Sequence, residues 1–518
     1  MKLKHLTALV LFFSVTNAFC QNQITLSTGE TIVGKSLVDN SDIIGKEYTF
    51  PDHIYKTYFD TASNYLTVQL RGIKGKYYNN KGKIVQVNTI DNSIIWSKEI
   101  NYQNTQIQHH NKIIVQVKAN QSQLLDIYSG NPTFELKNYI YFVDSDFNIG
   151  IGYKSSSAND FSNKLEGVNI LNGSILWQRE INREFGWNNF FYINDSTVII
   201  VSAGIHSLNV KTGQGWDYNA ETGHNDYKGT VAKNVAGAAL GVLTGFAVVS
   251  TGHNVIHGMA SNVLMDSNYF YFASKEEIAK INKATGEVLW KSNFESFAGQ
   301  SILYMDSSNI YMINKGLAKE NNSQQISYKK PFLAAFSRQT GQQIYLIPFE
   351  EKDNPILGQI VKNDYEYLLF KNKIVKYNTK TRNNQQKQYD TKQFGDLSFF
   401  IGNHVFVKND EGSITNLVAS DTTKFFVYSE SGTVLSIDEN LNICNTISND
   451  KLTVSSVNGS ALSFFGNQDK TLIMNGQGEK CAELYAILNP KNSYIIKNTL
   501  YYINDKKLCI INLDNLDK

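Results

Sequence analysis

Residues 29–36 read GETIVGKS, which satisfies the Gly-x4-Gly-Lys-Ser spacing of a loop whose backbone N–H groups cradle phosphates. That chemistry needs a strand before the loop and a helix after it. The residues that follow, LVDNSDIIG, carry no apolar stripe at helical spacing, so the match is expected to be fortuitous. Histidines form a second set of candidates. His109 and His110 are adjacent, and His253 and His257 would share one face of a helix. Each pair lacks a third ligand in view, and no metal is expected. Cys444, Cys481 and Cys509 all fall in the last 75 residues. An odd number leaves at least one thiol unpaired, and both readings stay open: one disulfide among the three, or small buried apolar groups.

The N-terminus bears on where such groups would work. MKLKHLTALVLFFSVTNAFC places Lys2, Lys4 and His5 ahead of an apolar run from Leu6 to Val15, the pattern of a secretory signal peptide over residues 1–20. Ala18 and Cys20 then take the −3 and −1 positions. Phe19 stands where acylation of Cys20 needs a small residue, so a lipid anchor there is not expected. The expected destination is the periplasm or cell envelope. Of the 49 Lys and Arg and 47 Asp and Glu, the signal removes Lys2 and Lys4 and no acids, leaving no net charge. Such a chain offers no electrostatic footprint for nucleic acid. At 42% apolar, 12% aromatic and six prolines it reads as globular rather than linker-rich.

The elements that must position any site emerge from an internal repeat. IVQVNTIDNSIIWSKEIN (84–101), LEGVNILNGSILWQREIN (165–182) and IAKINKATGEVLWKSNF (278–294) share an alternating strand, an Asn or Gly turn, and a second strand reaching Trp. Weaker copies put aromatic ends at Trp96, Phe134, Trp177, Trp216, Trp290 and Tyr345, the first three intervals being 38, 43 and 39 residues. A unit of about forty residues cannot bury two apolar faces alone, so the units must stack into a ring of four-stranded blades. The aromatic is expected to fill the wide outer gap between blades. The last repeat, LYYINDKKLCIINLDN, stops after its turn, which predicts that residues after Gln21 supply its outer strand.

INKATGEVLW, LNVKTGQGW and FSRQTGQQIY resemble the pyrroloquinoline-quinone-type repeat, roughly Ala-Leu-Asp-x-x-Thr-Gly-x-x-x-Trp. The resemblance implies an all-β propeller, eight-bladed with seven as the alternative, as in quinoprotein dehydrogenases and in the BamB type of outer-membrane assembly lipoprotein. In the enzymes it implies a cofactor held over a tryptophan, beneath a disulfide of adjacent cysteines, with calcium and an aspartate base. This chain has no adjacent cysteine pair, and four of its five tryptophans sit at blade ends, so neither cofactor nor catalysis is expected. The expected role is a scaffold over 21–518 that binds a protein or envelope partner. The alternatives are an enzyme with its site on the funnel axis and a carbohydrate-binding envelope protein.

One segment breaks the pattern. Trp216 to Trp290 spans 74 residues, one repeat plus an excess that marks 231–261 as an insertion. Within it Gly237, Gly241 and Gly245, followed by Phe246, give a Gly-x3-Gly-x3-Gly stripe on which a second helix could close. No charge falls between 235 and 252. The reading is either a helical hairpin, its second arm over 254–264, that touches a membrane, or a segment folded against the propeller or a partner.

Overall fold

Alternation of apolar and polar residues between Asn-, Asp- and Gly-bearing turns gives a chain of short antiparallel strands. The computed structural model describes residues 26–514 and 516, apart from 61–62, 76, 111–112, 119–120, 155–161, 184–185, 227–253, 295–296, 321–323, 350–352, 402–403, 409–413, 419–423, 432, 449–451, 455–462, 468, 475–479 and 489–491. Eight separate four-stranded blades follow one another: 53–101, 105–136, 138–180, 189–219, 264–293, 301–348, 358–388 and 397–448. The sixth and eighth each carry a hairpin inside the blade, Leu317–Glu320 with Gln324–Ser327 and His404–Lys408 with Ile414–Val418.

A nine-stranded sheet completes the molecule. It holds a ninth array, 452–484, and a tenth built from Ser493–Ile496, Thr499–Asn504, Lys507–Asn512 and, as its outer strand, Asp42–Thr49. Glu47 pairs with Cys509 and Tyr48 with Leu508, so the first part of the chain supplies the strand that the last repeat lacks. Ser27–Ser36 pairs with Asp42–Thr49 on one side and with Lys480–Leu484 on the other, a latch over two arrays. Ten arrays therefore stand among the described residues, two more than the eight expected. The later arrays lack the Thr-Gly turn and terminal Trp by which the repeats were counted.

Consecutive arrays bury their facing sides. Leu66, Val68 and Val85 of blade one meet Tyr501 and Leu508 of the tenth array, and Val198 and Ile200 of blade four meet Ile151 and Leu165 of blade three. The phosphate-loop-like sequence is part of the latch. Its Gly34 lies so close to the ninth array that a Cβ would sit 2.3 Å from the Glu483 carbonyl oxygen. Cys481 and Cys509 are buried and Cys444 is exposed.

Candidate functional site

The repeat aromatics form seams between blades. Four tryptophans lie within or just before a fourth strand, and each donates its indole N–H to a backbone carbonyl of the next blade: Trp96 to Ile127 and Trp177 to Val210, both at 2.8 Å, Trp216 to Lys283 at 3.0 Å and Trp290 to Arg338 at 3.3 Å. The ring lies flat against the turn glycine of that blade. Gly130, Gly213, Gly286 and Gly341 have φ between 68° and 74°, and a Cβ on them would lie 2.4–2.7 Å from the ring. Only glycine meets both demands, positive φ and close approach. Phe134 sits more loosely, since a Cβ on Gly173 would lie 3.5 Å from its ring. Tyr345 meets no glycine; the turn opposite has Arg382 at φ 64°, its guanidinium 5.5 Å from the ring centre. The six aromatics serve successive seams and do not converge on one site.

The first strands of neighbouring arrays lie side by side. Thr57 Oγ1 is 3.0 Å from Tyr494 Oη, Tyr58 Oη donates to the Ile107 carbonyl at 3.3 Å, and Gln108 Nε2 donates to the Ile140 carbonyl at 3.0 Å. These contacts link arrays ten, one, two and three around the axis. Where the first three meet is a cavity of about 380 Å³ lined by Thr57, Tyr58, Phe59, Asp60, His109, Tyr494 and Ile496. Tyr58 stacks on His109 at 5.5 Å, with the Lys56 ammonium 4.8 Å from its ring centre. Burial holds the Tyr494 hydroxyl well above the usual phenol range, so it stays protonated and able to donate. Two hydroxyls, a carboxylate and an imidazole against an aromatic wall can hydrogen-bond a small polar ligand. His109 is the one sequence candidate placed here; His257 lies buried elsewhere, His253 is outside the described residues, and the His110 side chain is not described. Among the described residues no three His, Cys, Asp or Glu side chains gather as a metal set.

The two ends of the ring differ. In an antiparallel blade, the connections from strand two to three and from strand four to the next blade leave at one end, and the others leave opposite. Three elaborations share the first end. Strands Tyr65–Lys74 and Tyr77–Asn88 extend past their neighbours, the Arg71 guanidinium lying 4.6, 5.5 and 5.0 Å from the ring centres of Tyr55, Tyr78 and Tyr102. Beyond it Tyr77 is 80% exposed and Ile73 43%. The other two join: Gly223–Asp226 and Asn254–His257, between blades four and five, form a separate four-stranded sheet with the sixth blade's hairpin through Ile256 to Glu320 and His257 to Lys319. Ile256, Met259, Ala318 and Tyr328 give this sheet its own core.

The second helical arm over 254–264, which one of the two readings required, is not formed. Val255 and Ile256 are β-branched and the stretch pairs with two neighbouring strands, which outweighs any helical spacing. Gly237, Gly241, Gly245 and Phe246 lie outside the described residues, in the 227–253 stretch that joins the paired ends Asp226 and Asn254. Among the described residues no helix is long and apolar enough to cross a membrane.

Blade order, ring packing and axial first strands define a β-propeller. Within that class, residues 75–292 match the family model described as outer membrane protein assembly factor BamB, and the repeats of that stretch are of the pyrroloquinoline-quinone type. No curated protein matches it. Among solved structures it is similar to BamB from Moraxella catarrhalis, at 13% identity over 83% of this chain and 96% of that one, with a TM-score of 0.31. It is also similar to the Cps50 (Swd1) β-propeller domain of Myceliophteria thermophila, at 9% identity over 62% and 99%, with a TM-score of 0.29.

Proposed function

We propose that this protein is an exported, non-catalytic propeller that holds a protein partner in the cell envelope, through the end that carries the added sheet and the Tyr77 hairpin. The observation that carries the reading is the joining of insertions from two separate places in the ring into one sheet with its own core. Loops on a rigid ring are where recognition sits, and exposed apolar side chains such as Ile73 and Tyr77 are what a partner covers. The family description over 75–292, an assembly factor, agrees with such a role. The apolar stretch 235–252, bearing Gly237, Gly241, Gly245 and Phe246, is proposed as the docking element, against a partner or a membrane. A photo-crosslinking residue at Tyr77 in the full chain, expressed in cells, is expected to yield a discrete adduct, whereas one at the opposite end, at Thr285, yields none. Equal labelling from both ends would sink the proposal.

A second reading draws on the axial cavity: a small polyhydroxylated ligand held by Thr57, Asp60, His109 and Tyr494. Tyr494→Phe would then weaken binding of a neutral oligosaccharide about fivefold or more, the loss of one good hydrogen bond, measured by calorimetry.

A further inference from the structure

Blade seven departs from its neighbours at one buried position. The second residue of a blade's second strand faces the preceding blade, and it is apolar and buried as Leu66, Ile114, Val198, Phe270, Ile310, Phe425 and Leu500. The third blade has Gly150 there and the ninth array Thr471. Blade seven has Glu366, 1% exposed.

The surroundings of this carboxyl are unusual for a charged group. Its Oε1 accepts a hydrogen bond from the Tyr304 hydroxyl of blade six. Its Oε2 is buried with no hydrogen-bond partner; across the same seam the Tyr345 and Tyr377 rings pack edge to face at 5.8 Å with their hydroxyls set against each other. Tyr304 stacks on Tyr311 at 5.0 Å, and Asp306 accepts from the Tyr311 hydroxyl at 2.9 Å. The positive groups nearby are engaged elsewhere, Lys380 with Asp364 at 2.7 Å and Arg382 over Tyr345. With Tyr311, Tyr345 and Thr379 they line a cavity of about 240 Å³ at the end of the seam.

A carboxylate here would be desolvated with one oxygen unsatisfied, whereas the neutral acid brings no charge into the buried seam. We propose that Glu366 makes the seam between blades six and seven a proton-operated joint, closed while the carboxyl keeps its proton and opened to water from the adjoining cavity when it loses it. Burial, offset in part by the Tyr304 hydroxyl, pushes Glu366 up to about 7, so the joint works across neutral pH. Because the folded state holds the proton more tightly than the unfolded one, the stabilisation is full below the ordinary Glu range and is lost as pH rises through about 7.

The test is hydrogen exchange on the full-length protein, followed in peptides spanning 358–378 at pH 5.5 and 8 and corrected for intrinsic rates. In the native chain the seam is expected to open about thirtyfold more often at pH 8 than at pH 5.5, following the carboxylate fraction, while peptides of blade three do not change. Glu366→Leu, the choice of other blades, and the near-isosteric Glu366→Gln both abolish the difference. A seam that exchanges alike at both pH values, or a difference that persists in both variants, overturns the proposal.

Discussion

A tryptophan resting on a glycine can be broken from either side. Trp177→Ala removes a ring that is 7% exposed and frees the Val210 carbonyl, a loss of about 3–5 kcal/mol for a buried aromatic. Gly213→Val meets the ring at 2.7 Å and must hold φ 72°, and the urea midpoint is expected to fall for it as well. Because both substitutions damage one contact, the double variant Trp177→Ala with Gly213→Val should cost less than the sum of its parts, by about 1 kcal/mol. Gly34→Ala is expected to weaken the latch, whereas Gly29→Ala, with no atom within 4 Å of its Cβ, is expected to stay within about 0.5 kcal/mol of the native chain. The roles of these glycines were only half legible. Thr-Gly read as a turn; that its glycine must also lie under the preceding blade's ring follows only once the blades are stacked.

Among elements, the N-terminal hairpin concentrates the most consequence in the fewest residues. Ser27–Ser36 and Asp42–Thr49 hold two arrays that the rest of the chain leaves without a shared strand. Lys507 adds an ion pair to Glu47 at 2.8 Å, and His53 one to Asp505. Deleting 26–37 is expected to speed limited proteolysis within 452–512 severalfold while leaving 138–219 as resistant as before, checked by mass mapping of the fragments. Uniform resistance would mean that the latch adds nothing. This closure was readable in advance, because LYYINDKKLCIINLDN stops one strand short. The blade count was not, since FFVYSESGTVLSIDENLNIC and the strands after it keep the alternation but drop the Trp and Gly that mark a repeat. The strand Asn254–His257 was misread because the glycine spacing upstream was carried past its end.

At the scale of the molecule, ring closure brings together residues that no local pattern connects. Thr57 and Tyr494, 437 positions apart, touch in the axial cavity, and neither stood out in the sequence; His109 did, through its doubled histidine. The same closure makes the two ends unequal, one bearing the added sheet and the exposed Tyr77, the other the tryptophan-capped turns. The central claim is that the elaborated end attaches the ring to a partner in the envelope. The most direct measurement compares the tagged full-length protein with a version in which 227–253 is replaced by a short Gly-Ser linker that keeps both flanking strands, through cell fractionation and a carbonate wash. The full-length protein should stay with the membrane fraction and the shortened one, with an unchanged melting midpoint, should be released. Release of both, or equal retention of both, would contradict attachment through this end.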